Sequence, residues 1–514
     1  MASTIRHYLC SSLPCLLVLL CGCTTLSEYW HNGLKVGPNY QTPTAFPASD
    51  WIDPIDKRKD ADDLTSWWKA FKDPALDHLI CTAYNQNLTL KQVGYRIMQA
   101  RAQLGIAVGE LFPQSQSATG SYVRTGASSL GSNAFTSRER FFSQYNVRLG
   151  MSWEIDFWGR YRRSVESARA ELDASVADYD DALVTLLSDV ASDYVLLRTI
   201  EKRIEYAKVN VEIQTDTKKI AEARRKVDKN SALAVDQAKT LLKQTEAGIP
   251  ELEIALRQTN NRLCVLLGIP PEDLRVKLKA GAIPTPPMHL AVGIPADLLR
   301  RRPDLRRAER LAAAQSERIG IAKADFYPQI FLSGAFGYSA EQITDLFRSG
   351  AFNGNVGPSF RWNILNYGRI VNNVRLQDAR FQELVAAYRN KVLVAQQEVE
   401  NGLVTFANAH RRHKLQSESV ESAKEAEKFS KGLWKVNNVD FTTLSLIQQN
   451  LVHQQDTLAQ AQGEIAQGLI AVYRAIGGGW RLRCTDECTP PSAPRQAERP
   501  TELPPPRPVF GQPR

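Results

Sequence analysis

Four methionines and seven histidines in 514 residues leave little metal-ligand chemistry to work with. No methionine-rich relay for a soft metal is present. His410 and His413 have a ligand-like spacing, but Arg411 and Arg412 lie between them and repel a cation, so a solvated helix face is the better reading. No glycine-rich stretch opens a helix; Gly477-Gly478-Gly479 follows one, which excludes a phosphate cradle. No apolar run reaches 18 residues, which excludes a transmembrane helix. Neither sign of charge dominates: 64 Lys and Arg are interleaved with 55 Asp and Glu, and no nucleic-acid motif accompanies the net +9. No catalytic constellation emerges, and no cofactor or metal is expected.

What is present is a duplication. Leu111-Phe112-Pro113-Gln114 recurs as Phe326-Tyr327-Pro328-Gln329, and Trp153 to Arg160 recurs as Trp362 to Arg369. The offsets are 215 and 209, and 209 then holds through Tyr179/Tyr388, Lys226/Lys435 and Gly268/Gly477. So long a period excludes a solenoid and describes a doubled half-protein.

Each half opens with alternation. Tyr145, Val147, Leu149, Met151, Trp153 and Ile155 share one side of residues 144 to 155, and Val356, Pro358, Phe360, Trp362 and Ile364 do the same in the second half. Period two predicts strands, with hairpin partners at Ser115 to Arg124 and Ile330 to Ser339. About ten residues at ~3.3 Å each, tilted by roughly 45°, match the apolar band of an outer-membrane barrel. Four strands cannot close, so the edges must pair with other copies of the chain. Tyr145, Val147, Leu149, Met151, Trp153, Phe360, Trp362 and Ile364 are therefore expected to face lipid.

The period then changes to 3.5. Leu172, Val176, Tyr179, Leu183, Leu186 and Val190 form a coiled-coil seam, and neither Pro nor Gly interrupts Arg160 to Arg225. At ~1.5 Å per residue this helix is on the order of 100 Å long. A matching helix from Ile370 has Gly402 and Gly432 as weak points. Tight hairpins at Asp228-Lys229-Asn230-Ser231 and Asn437-Asn438-Val439-Asp440 lead into shorter returns ending at Gly268 and Gly477. The Arg300 to Glu309 run reads as a helix start around Pro303, its arginines pairing with carboxylates on neighbouring helices.

The N-terminus has the parts of a secretion signal: Arg6 and His7, an apolar stretch from Leu9 to Leu20, then Leu20-Cys21-Gly22-Cys23. That string resembles a lipobox, which makes Cys23 the lipidated first residue; ordinary signal-peptidase cleavage is the alternative. Removal of residues 1–22 leaves Cys23, Cys81, Cys264, Cys484 and Cys488, of which Cys484 and Cys488 are a possible disulfide. Residues 481–514 read as a disordered Pro-rich tail, and 23–290 and 291–480 as the two repeats.

Val36-Gly37-Pro38-Asn39-Tyr40, Trp67 to Leu76, Arg301 to Asp304 with Ala308-Glu309, and both Pro-Gln and Gly-Arg marks occur here in one order. In that order they resemble the TolC superfamily of outer-membrane channels, in its lipid-anchored OprM/NodT-like branch. The resemblance implies an α+β membrane protein: a homotrimer whose twelve-stranded outer-membrane β-barrel takes four strands per chain and continues into a long periplasmic α-helical coiled-coil barrel. It implies a non-enzymatic exit duct for small molecules such as drugs, in a tripartite resistance-nodulation-division type pump with a periplasmic adaptor and an inner-membrane pump. A type I protein-secretion duct and a pore-less envelope coiled-coil protein are the competing readings. The two hairpins then form the adaptor-docking mouth. Family members usually carry Gly where Asp228 and Asn437 stand, and TolC has Asp at positions aligning with Thr443 and Leu446, so its gate does not transfer directly. Asp440 matches an acidic position of the second mouth; it is either the gate residue or an N-cap for the helix at Phe441.

Overall fold

The computed structural model describes residues 26–45, 51–52, 64–126, 141–226, 232–279, 281–286, 301–485 and 487–488. The alternating segments form one antiparallel sheet in the order β1 (Ser115–Gly126), β2 (Phe141–Ile155), β3 (Gln329–Ala340), β4 (Phe352–Arg361). Its register sets Ala118, Leu149 and Phe336 side by side, and likewise Ile330 beside Phe360, so one apolar face runs through all four strands. Ser117, Ser121, Asn146, Ser152, Ser333, Asn353 and Ser359 populate the opposite face. Both outer edges, β1 and β4, are open.

Trp362 and Ile364 fall outside this sheet, contrary to expectation, because β4 stops at Arg361 opposite Gln329. The next partner is Pro328, which has no N–H to give the ladder. The Trp362 indole instead donates to the Phe326 carbonyl at 2.9 Å, and the chain turns.

Where β2 and β4 give way to helices, Gly159 and Gly368 both sit at φ 80°, the left-handed conformation that glycine adopts without strain. Each Gly-Arg mark is therefore a strand-to-helix corner. Gly159 offers no capping side chain, and Asp156 substitutes, accepting from the Tyr161 and Arg162 N–H groups at 3.0 and 2.9 Å.

A short α1 (Leu26–His31) precedes α2 (Pro74–Gln86) and α3 (Leu88–Gly109). The long helix α4 (Arg160–Arg225) returns as α5 (Ala232–Leu267). After α6 (Pro303–Ala324), the second long helix α7 (Arg369–Lys435) returns as α8 (Phe441–Ala475). Gly402 and Gly432 do not interrupt α7. Gly402 marks a close approach instead, since a Cβ there would stand 3.0 Å from the Val472 side chain of α8. Helix α4 packs against α5, α6 and α8, and so ties the first repeat to the second.

The main core lies at the level where these helices meet the 3₁₀ segment Leu64–Phe71. Trp67 and Trp68 are buried there, Trp67 stacked on Tyr473 at 5.1 Å. Asp73 caps α2, and its other oxygen accepts from Tyr194 at 2.7 Å, tying the Trp-Trp motif to α4. The arginine run behaves as expected: Arg302 chelates Asp304 at 3.0 Å, reaches Glu398 at 2.7 Å, and donates to the Ala475 carbonyl. Burial acts to raise the Asp304 carboxyl, but Arg302 and Lys391 hold it below the ordinary range.

The Cys484–Cys488 bridge does not form. Cys488 is bonded to Cys81 of α2, 407 positions away, with Cα atoms 4.9 Å apart, and Cys484 is a free exposed thiol. Cys484 ends a 3₁₀ turn, after which the chain crosses onto α2 and Asn85 donates to the Cys488 carbonyl at 2.8 Å. That crossing presents Cys488, and not Cys484, to Cys81.

Candidate channel wall and periplasmic mouth

The sheet has two chemically distinct sides. Val147, Leu149, Met151 and Phe360 are exposed in the single chain on the apolar side, joined by Phe336, Phe352 and Val356. Tyr145 and Trp153 are half-buried on the same side, Tyr145 against Tyr122 at 4.7 Å. The other side is bonded through polar side chains, including Ser152 with Ser333 at 3.2 Å and Gln144 with Ser339 at 3.0 Å. An apolar outside and a wettable inside are what a barrel wall in a membrane requires. Among the described residues no helix is long and apolar enough to cross a membrane.

The sheet ends in an aromatic collar. The Trp153 indole donates to the Leu111 carbonyl at 3.1 Å, just as Trp362 does to Phe326, so the duplicated motifs encode one hydrogen bond twice. Trp158 donates to Pro328 and stacks on Tyr327 at 4.4 Å. Amphipathic rings of this kind favour the membrane–water boundary.

At the far end of the long helices, the first hairpin, Asp228, Lys229, Asn230 and Ser231, lies outside the described residues, as does Cys23. The second is well defined. Asn437 takes the left-handed conformation at φ 61°, and the Asn438 N–H closes the helix end on the Leu433 carbonyl at 3.0 Å. Val439 is half-buried and Asp440 exposed. Asp440 accepts from the Thr443 N–H at 3.0 Å and so caps α8.

Hydrogen bonding from Thr443, its side chain first and its backbone second, holds the Asp440 carboxyl below the ordinary aspartate value. A depressed folded-state pKa means that the cap stabilises fully above the unfolded value and is lost as pH falls through the folded one. Asp440→Asn is therefore expected to keep the helix end intact at neutral pH and to remove its acid sensitivity, while Asp440→Ala loosens it at every pH. Amide exchange at Phe441–Leu444 across a pH series checks this; identical profiles for the wild type and both variants would remove the capping role.

The residues that pin this mouth escaped the sequence reading. Trp434, 4% exposed, packs with Phe441, Leu444, Ala221, Val235 and Ala238, which joins the two hairpins in one small cluster. Arg224 lies 4.6 Å over the Trp434 ring and donates to the Lys435 carbonyl at 2.6 Å. Between this cluster and the main core the packing turns polar: Asn210 donates to Gln455 at 2.6 Å, and Gln448 to Thr217 and Glu427 at 2.9 Å each. A tryptophan just before a helix-ending Asn pair was the available signal. His410, three residues from His413, packs edge-on to Phe406 at 4.8 Å. Among the described residues no three or more His, Cys, Asp or Glu side chains are arranged to hold a metal.

A two-faced sheet continuous with ~100 Å helical hairpins defines the class as a TolC-like outer-membrane channel, in which each chain gives four strands to a trimeric twelve-stranded barrel. The family model described as "Outer membrane efflux protein" matches residues 79–269 and 294–478, one block per repeat. The chain belongs to that family. It is 30% identical over 483 residues to "Pyoverdine export outer membrane protein OpmQ" of Pseudomonas putida, covering 93% of this chain and 98% of the relative. It is also 30% identical over 419 residues to "Nodulation protein T" of Rhizobium leguminosarum bv. viciae, covering 81% and 85%. Among solved structures, that of the outer-membrane channel OprN superposes with a TM-score of 0.80 at 30% identity, covering 87% of this chain and 99% of that one.

Proposed function

We propose that three copies of this chain form the exit duct of a tripartite efflux pump, passing small molecules from a periplasmic adaptor and inner-membrane pump to the exterior. The observation that carries it is a sheet with one apolar face, one polar face and two open edges. An open edge is not tolerated in lipid, and a second copy is the partner whose edge is complementary. The relative named for pyoverdine export moves a small molecule, which favours such solutes over secreted proteins. The mouth hairpins around residues 228–231 and 437–440 are the adaptor-docking surface of this reading, with Asp440 the candidate gate.

The duplication supplies the register of the junction between chains. By pairing in the sheet, Gln116–Met151 recurs as Ile330–Phe360, so β2 maps to β4 by 209 positions and β1 to β3 by 214, one fewer than the 215 between the Pro-Gln marks. The intrachain pair Gly150–Ala335 then becomes Ser359 opposite Ser121 of the partner subunit. In a Cys484→Ser background, Ser121→Cys with Ser359→Cys is expected to give covalent trimers under oxidation that still conduct in planar bilayers. Monomers alone, with no conductance, would sink the duct.

The same reading places a lipid on Cys23 and the mature start there. Tyr29 of α1 donates to the Phe157 carbonyl at 2.6 Å, which holds α1 beside the aromatic collar. Intact-mass analysis is expected to show loss of residues 1–22 with an acyl adduct; an unmodified Cys23 would exclude the anchor. Because a closed barrel already secures insertion, Cys23→Ser is expected to leave trimers in the outer membrane.

A further inference from the structure

The charges in the sheet are few and unevenly placed. Arg124, Arg148, Glu154 and Arg361 are the only ionisable Lys, Arg, Asp or Glu side chains in the four strands, and register puts the last three on the polar face. Glu154 and Arg361 lie at the helical end. Glu154 accepts from the Tyr161 hydroxyl at 2.9 Å, while Arg361 donates to Gln329 at 2.9 and 3.1 Å and lies 5.1 Å over the Phe331 ring. Arg148 stands six residues up β2, about 20 Å along the strand at ~3.3 Å per residue. Beside it in register are Thr119, Gly337 and, one strand further, Asn353. Its contact is a 3.5 Å approach to the Asn353 amide oxygen, and among the described residues no carboxylate pairs with it.

Gly337 keeps this spot clear. A Cβ there would come within 2.1 Å of the Val147 carbonyl oxygen and 2.7 Å of the Arg148 Cα, so no side chain stands beside the guanidinium from β3. Arg148 is thus a permanent cation, without a carboxylate partner among the described residues, on the wettable face near the middle of its strand.

We propose that Arg148, repeated three times around the barrel, is a station for anionic solutes and sets an anion preference in the outer half of the duct. This rests on the trimeric channel reading. Rings of arginine inside a pore attract anions because a fixed like charge in a narrow, partly desolvated passage raises the local concentration of its counter-ion. Arg361 adds little, since Glu154 offsets it at the same end. The favoured cargo is a carboxylate-, phosphate- or sulfonate-bearing small molecule, and cationic solutes are disfavoured.

The test is the reversal potential of the full-length trimer in planar bilayers under a potassium chloride gradient. Wild type is expected to favour chloride. Arg148→Gln should lower the chloride-to-potassium permeability ratio by roughly twofold or more, and Arg148→Glu should invert the preference. Glu154→Gln is expected to shift it slightly toward chloride. Arg148→Cys in the Cys484→Ser background should react with an anionic methanethiosulfonate added to the open pore, with a step change in conductance. Intact pores whose reversal potential ignores Arg148→Gln and Arg148→Glu would overturn this inference alone. Absence of pores from the wild type would overturn the channel reading and this inference with it.

Discussion

Leu149→Arg is expected to cost roughly 2 to 4 kcal/mol per chain and to abolish most stable trimer, although Leu149 is 48% exposed in the single chain. The residue lies near the middle of β2, on the face shared by Phe336, and so close to mid-membrane depth. A guanidinium there meets hydrocarbon with no partner, whereas its neighbour Arg148 already points the same group to the wet side. Arg148→Gln is expected to assemble normally. Yields of folded trimer and its urea midpoint separate the two; equal damage from both substitutions would mean that the assigned strand register is wrong.

Trp434→Ala should damage the opposite end of the molecule. Truncating a buried tryptophan costs about 3 to 5 kcal/mol, and the cluster around it is too small to close the cavity. Its neighbours Ala221, Ala238 and Val235 have little side chain to lend. The loss therefore falls on the mouth instead of the whole fold, and amide exchange at residues 430–445 is expected to accelerate by about 100-fold or more, since 1.4 kcal/mol is tenfold. Trp434→Phe should recover part of the protection. Unchanged exchange in Trp434→Ala would show that the hairpins are held elsewhere.

How much of this was legible beforehand follows from the range of the forces involved. The 66-residue α4 was readable to its ends, because helix periodicity and the lack of Pro and Gly act over a few residues; the α5 return was readable from its bounding signals, although Gly248 and Pro250 lie inside it. The strands were readable from alternation, but alternation alone ran β4 on through Ile364. Only the pairing partner, Pro328, ends it. The disulfide failed for a related reason: nearness in sequence favoured Cys484–Cys488, while the actual partner was brought up by folding 407 positions of chain. Asp440 was legible as a cap. Trp434 and Arg224 were not, since their roles exist only once two hairpins from different repeats lie side by side.

The twice-encoded indole contact has a mechanical consequence. In a trimer the Trp153 and Trp362 indoles make six such clasps, each tying the foot of a strand to the turn that leads into its hairpin partner. Load carried up the long helices therefore meets a clasped strand foot in both repeats of each chain, and not in one alone.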